Sequence, residues 1–307
     1  MPLARPRTLI TGDGVWRGVT WAAGVVTVVI LGGVAAFLLI DGVPALRGSA
    51  GADLSPWGVT SVWGLVWPLL FGSAWAAVWA LLFAVPIGVG SALFVTMVAP
   101  RRLGGLLGGA IDLLAAVPSV VYGLWGIFVV APAASVVYAW LSAHVGWFPL
   151  FAGAPSATGR TLLTASLVLA IMVVPLISSL SREVIALVPK AHIEASLALG
   201  ATRWQAIRQA VLPQAKSGIV AGALLAMGRA LGETMAVAMV LSSSLRISGR
   251  LITSENPGTV AGFIAQNFPD ASGLEVNSLL WLGLMLFLLT LVVNTFARRV
   301  LTRGVSK

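Results

Sequence analysis

The stretch REVIALVPKAHIEASLALGATRWQAIRQAVLPQAKSG runs from Arg182 to Gly218. It separates two long apolar runs, yet it is too patterned to be a mere connector. Apolar residues recur at helical spacing from Ile193 to Gly200 and again from Trp204 to Leu212, with Pro189 and Pro213 as bounds. This predicts a short amphipathic helix, a turn at Gly200 and a second helix. Glycine suits the turn because it takes a positive φ without steric cost. A helix of this kind either lies on a membrane surface or is offered to a groove on a partner protein.

The sequence around this segment favours a membrane. Of 307 residues, 58% are hydrophobic and only 9% charged; an ordinary soluble chain carries about 25% charged residues. A chain this apolar could not cover its surface in water. Six stretches are long enough to cross about 30 Å of hydrocarbon: 17–40, 67–97, 107–131, 162–181, 218–243 and 278–297. The second contains Pro86, which predicts a kink or tilt. The first follows Arg5, Arg7 and Arg17, as a signal peptide would. Its apolar core exceeds 20 residues and no clear small-x-small cleavage site follows, so it reads as a retained helix.

The basic residues set the orientation. Fourteen fall on one side: Arg5, Arg7 and Arg17; Arg101 and Arg102; Arg182, Lys190, Arg203, Arg208 and Lys216; Arg298, Arg299, Arg303 and Lys307. Four fall on the other: Arg47, Arg160, Arg246 and Arg250. The positive-inside rule then predicts that both termini and the 182–217 loop are cytoplasmic. Asp41, Asp53, Glu255, Asp270 and Glu275 fall outside, as does the 132–160 segment, whose Trp140, Trp147 and Phe148 suit an interfacial cap. The net charge of +9 is a membrane-topology feature and predicts no nucleic acid.

Composition also excludes chemistry. The chain has no cysteine, and His144 and His192 offer no metal-ligand spacing. None of Lys190, Lys216 and Lys307 follows a glycine, so there is no phosphate-cradling loop for ATP. No nucleophile–base constellation lies in the spans. A non-enzymatic chain without metal or cofactor is expected.

Three ionisable residues fall at or in the spans. GRALGETMAV, Gly228–Val237, places Arg229 and Glu233 four residues apart, on one face of a continuous helix. Each such charge costs about 2.5–3.5 kcal/mol at mid-membrane. Either the two form an internal salt bridge, or they line a path for an anion, to which arginine offers a planar fork of donors. Asp112 is expected at a helix start, favoured by the dipole there. In PSVVYGLWGIFVVAP, Pro118–Pro132, Gly123 and Gly126 suit a close helix contact somewhat better than a pore lining, with Ser119 and Tyr122 adding hydroxyls. In LGGLLGGA, Leu103–Ala110, the Gly104/Gly108 and Gly105/Gly109 spacings predict close helix packing.

The 182–217 segment resembles the EAA loop of ABC importer permeases, E-A-A-x3-G-x9-I-x-L-P. Glu194, Ala195, Gly200, Leu212 and Pro213 hold the spacing; Ser196 replaces the second alanine and Ala210 the isoleucine. With LGATRW (Leu199–Trp204), RALGETMAV and the run Asp112–Pro132, the chain is similar, over about residues 65–300, to PstC-type permeases of phosphate-specific ABC importers. Their usual G-T-L in the second helix stands here as Gly72, Ser73, Ala74, a departure with no evident functional cost.

The resemblance implies an all-α, MetI-like type I importer fold of six transmembrane helices. It divides the chain into 1–66 (tail, first helix, external segment), 67–300 (transmembrane domain) and 301–307 (cytoplasmic tail). It implies a bacterial cell-membrane location and three partners besides membrane lipid: a PstA-type permease, a cytoplasmic ATPase dimer and an extracytoplasmic phosphate-binding protein. Glu194, Ala195, Gly200, Ala201, Thr202, Arg203, Leu212 and Pro213 would form the coupling element that docks on the ATPase. Arg229 and Glu233 would line the substrate path. Arg229 would offset the anion's charge. Glu233 would hold Arg229 in the empty site, or accept a hydrogen bond from the proton of monohydrogen phosphate. Permeases for sulfate, molybdate or phosphonate would share the loop, and a secondary transporter would show inverted repeats, of which none is evident.

Overall fold

A computed structural model describes residues 10–48 and 55–305. Arg5, Arg7, Asp53 and Lys307 lie outside the described residues. Among the described residues, six helical spans are long and apolar enough to cross a membrane: Gly14–Leu46, Val62–Val98, Ser119–Val145, Leu162–Ala186, Arg203–Leu231 and Leu274–Phe296. They are called spans 1 to 6 in that order.

Spans 2 and 4 form the principal pair, and span 5 packs against both. The contact is made with small residues. Ala76, Ala77, Ala80 and Ala84 of span 2 are buried beside Leu169, Val173 and Ile177 of span 4. A Cβ at Gly88 would stand 2.8 Å from Ile177. On span 5, a Cβ at Gly218 would meet Val184 at 2.3 Å, and one at Gly222 would meet Leu180 at 3.2 Å. Where lipid is as apolar as the side chains, close backbone approach is what gives helices contact energy. A second cluster joins the end of span 1 and the start of span 2 to span 6 around Leu65, Leu69, Leu279 and Leu282. Span 1 otherwise shows its apolar side chains outward, Trp16, Trp21, Val28 and Ile40 among them.

Spans 1, 2, 4 and 6 lie close to their expected positions; two spans differ. Span 3 is expected over 107–131 but runs over Ser119–Val145. Pro118, extended at ψ 141°, caps it, and the residues before form a separate helix, Arg101–Ala115. A proline disfavours helix in the residue before it, so the apolar run is cut there. The expected external cap at 132–160 is accordingly shorter: residues 131–145 are helical, and the cap is 146–161. There Leu251 donates to the Leu150 carbonyl at 2.9 Å, and Ser156 donates to that of Ile252 at 2.9 Å. Span 5 is expected over 218–243 but runs from Arg203 to Leu231, stops at Gly232, and resumes as the short helix Met235–Val240. Pro213 does not end the preceding helix. The turn Ile207–Val211 widens to π geometry, Leu212 donating five residues back to Ile207, and the proline is absorbed. The same widening precedes Pro100 and Pro132.

Candidate functional site

Two places hold the residues singled out by the sequence. The first is the loop between spans 4 and 5. The helix Lys190–Ala198 follows Pro189, and Gly200 takes φ +87°. Ala201 donates to the Ser196 carbonyl (3.2 Å) and Gly200 to that of Leu197 (3.0 Å). These two bonds close the helix end in a Schellman turn that needs a left-handed residue. Thr202 then opens the next helix with a capping box: its hydroxyl accepts from the Gln205 amide, and its own amide donates to Gln205 Oε1 at 2.7 Å. Thr202 is thus a structural cap.

Glu194, Ala195, Gly200 and Arg203 are exposed, and Ala201 is half-buried. Leu199 is 90% exposed and Trp204 62%. Two large apolar side chains are thus bare on a short, polar-flanked helix pair. The loop is anchored by Ile193 and Leu212, which pack on the cluster of Ala92, Ile185, Val188 and Val211. Leu212 and exposed Pro213 belong to span 5 itself.

The second place is the break in span 5. Arg229 lies in the last turn before it and is exposed; Glu233 lies beyond it and is half-buried. The expectation that the two share one helical face is overturned, because Gly232 ends the helix between them. No ion pair joins them. Glu233 Oε1 instead accepts from the Ala236 amide at 3.2 Å, capping the start of the short helix. Nearby in span 3, Tyr122 Oη donates to the Leu114 carbonyl at 2.8 Å. Arg229 stands eleven residues past Gly218, about 16 Å along the helix. Its neighbours Ala226 and Ala230 are in the same buried cluster as Val173 and Ile177 of span 4. Arg229 thus stands exposed in the last turn of span 5, beside residues of the main apolar cluster.

Asp112 corrects another expectation. It lies in the last turn of Arg101–Ala115, not at a helix start, and it is ion-paired with Arg182 at the end of span 4. The Gly104/Gly108 spacing packs as expected: a Cβ at Gly104 would meet the Val95 carbonyl (2.8 Å), and one at Gly108 the Arg182 guanidinium (2.5 Å). Gly105 and Gly109 face open space. The close-contact reading of Gly123 and Gly126 fits the geometry, with Met239 Sδ 2.8 Å from a Cβ on the first and Val240 Cγ2 2.6 Å from one on the second. No group of three or more metal-binding side chains occurs among the described residues.

Sequence reading missed several structural residues. Gly218 and Gly222 carry the same small-xxx-small spacing that stands out at 104–108, and it passed unnoticed in an apolar run. Ser73 accepts a hydrogen bond from the buried Val260 amide at 2.9 Å, and a Cβ at Gly72 would come within 2.1 Å of the Gly258 carbonyl. The Gly72–Ser73 pair thus clasps the segment 257–260. Arg160, expected only as an exterior charge, donates from Nη2 to the Met239 carbonyl at 3.0 Å.

A bundle of six apolar spans, with an exposed helix–glycine–helix loop and a charged break in one span, is the architecture of a polytopic membrane protein. A family model described as binding-protein-dependent transport system inner membrane component matches residues 84–306, and the chain belongs to that family. It is 40% identical to phosphate transport system permease protein PstC 2 of Mycobacterium bovis, with 97% of each chain covered. It is 38% identical to PstC of Mesorhizobium japonicum, over 98% of this chain and 93% of that one. Among solved structures, a bacterial ABC transporter involved in import of the acidic polysaccharide alginate matches with TM-score 0.59 and 17% identity, over 95% of this chain and 98% of that one. An inward-facing MetNI methionine ABC transporter matches with TM-score 0.54 and 17% identity, over 79% and 96%. At such identities these two speak for the fold alone.

Proposed function

We propose that this chain is the PstC-type permease subunit of an ATP-driven phosphate importer. The observation that carries the reading is Arg229, an exposed cation in the last turn before the break in span 5. It is set in a chain 38–40% identical, over nearly its whole length, to permeases named for phosphate transport. An arginine held there costs energy in lipid and is kept where an anion or a watery cavity meets it. Its planar fork matches a phosphate-like oxyanion.

The rest of the assembly follows from the same reading. Both termini and the 187–202 loop are cytoplasmic, which the distribution of basic residues supports. The helix Lys190–Ala198, with Leu199 and Trp204, enters a groove of a cytoplasmic ATPase dimer, and Glu194, Ala195, Gly200, Ala201 and Arg203 form its contact and hook. A PstA-type permease completes the path, and an extracytoplasmic phosphate-binding protein delivers the anion to the outer mouth. ATP-driven closure moves the docked helices, and with them spans 4 and 5, to give alternating access. Arg229 offsets the anion's charge in transit.

The test is uptake of labelled phosphate, with excess sulfate as competitor, in a host lacking its own high-affinity system and carrying this chain with its partner subunits. Wild type is expected to restore sulfate-resistant uptake. Arg229→Gln is expected to assemble and to lose it. Normal transport by an assembled Arg229→Gln variant would refute the role given to Arg229. Entry of sulfate or molybdate instead would refute the substrate.

A further inference from the structure

The short helix Met235–Val240 is held at both ends by ionic side chains. Glu233 Oε1 accepts the Ala236 amide at its start, and Arg160 Nη2 donates to the Met239 carbonyl at its end. Each charge has the sign that the helix end favours, negative at the start and positive at the finish. Arg160 is in turn rigidly mounted. Gly159 before it takes φ +67°, where a Cβ would be 1.8 Å from the Ala131 carbonyl of span 3. The Gly159 carbonyl accepts the Thr164 hydroxyl at 2.6 Å, and that hydroxyl shares a 2.7 Å bond with Tyr138 of span 3. Thr161, after it, caps span 4. Arg160 Nε is buried without a partner, so the bond to Met239 is the tie the guanidinium makes.

We propose that Arg160 is a positioning residue that pins the half-helix Met235–Val240 to the mount formed by spans 3 and 4, and so sets the break at which Arg229 stands. A movement of spans 3 and 4 is then carried to the break through one charge-assisted hydrogen bond, and not through lipid-soft apolar contact alone. Its consequence for transport rests on the function proposed above; the positioning itself does not.

The chain has no cysteine, so one introduced by Met235→Cys reports alone. Met235 is 45% exposed at the start of the half-helix. In the assembled importer, the rate of its modification by a small thiol reagent measures how firmly the half-helix is held. Arg160→Met is expected to raise that rate about tenfold, the population change that loss of one charge-assisted hydrogen bond brings. Arg160→Lys, which keeps the charge and one donor, is expected to restore most of the protection. Uptake should fall in maximal rate in Arg160→Met, with the half-saturating phosphate concentration little changed. An unchanged labelling rate in assembled Arg160→Met overturns the proposal whatever the substrate proves to be. If that variant does not assemble, Arg160→Leu, which also removes both charge and donor, is read by the same criterion. Raised labelling with normal uptake would leave the pin standing and remove its part in transport.

Discussion

Gly200 gives the sharpest test of the docking loop, because its surroundings separate backbone strain from crowding. Its φ is +87°, and a Cβ placed on it meets nothing within 4 Å. A side chain there would fit, yet the backbone would resist it. For an L-residue the left-handed conformation costs about 1–2 kcal/mol, while asparagine tolerates it better and a β-branched residue is a true outlier. A cost of 1–2 kcal/mol is a factor of roughly 5–30 in population. What it disfavours is the turn closed by the Gly200–Leu197 and Ala201–Ser196 bonds, which aims Leu199 and Trp204 outward. Binding of purified ATPase subunits to the permease pair in nanodiscs is the assay. The dissociation constant is expected to rise about 5–30-fold for Gly200→Ala, less for Gly200→Asn and more for Gly200→Val. The order matters more than the size, since asparagine is larger than alanine. If Gly200→Asn were worse than Gly200→Ala, space and not φ would govern the turn. If Gly200→Val bound as wild type, the hook would play no part in docking.

Two further substitutions test the bundle by thermal unfolding in detergent. Gly218→Ala sets a Cβ 2.3 Å from Val184 Cγ1 and is expected to destabilise by about 1–3 kcal/mol through overpacking; Gly228→Ala, open to 4 Å, is expected to stabilise by roughly 0.5–1 kcal/mol as a better helix former. Equal effects at the two glycines would refute the close span 4–span 5 contact. Ser73→Ala strands the buried Val260 amide and is expected to cost about 1–3 kcal/mol; no loss in Ser73→Ala would refute the clasp.

Periodicity made the spans legible, and the patterned loop announced its helix–glycine–helix form. Gly200 was readable because a left-handed turn has few substitutes. The errors fall where an apolar run contains a break. Residues 107–117 are as greasy as a membrane helix, yet Pro118 cuts them from span 3 and leaves them on the Arg101–Ala115 helix, tied by Asp112 to Arg182. At Gly232, spacing alone suggested that Arg229 and Glu233 share a face. The fate of a glycine in an apolar run depends on what packs beyond it, and here the short helix Met235–Val240 is held by Gly123, Gly126 and Arg160 from other elements. Such long-range ties leave no local signal.

The break also divides the labour between the two charges. Within apolar surroundings each ionised side chain must be offset or expensive. Asp112 and Arg182 offset each other. Glu233 is engaged by the Ala236 amide and Arg160 by the Met239 carbonyl. Among the described residues Arg229 has neither an ion pair nor a hydrogen bond. Glu233 therefore cannot be holding Arg229 in this conformation, and its carboxylate is spent on the backbone of the half-helix. An exposed guanidinium in an apolar span is kept where water or another charged group meets it; on the function proposed above, the charged groups from outside the chain are a carboxylate of the second permease or the transported anion. The two differ in one measurable way. A structural counter-ion makes Arg229→Gln a defect of assembly, whereas a passing anion leaves assembly intact and stops uptake.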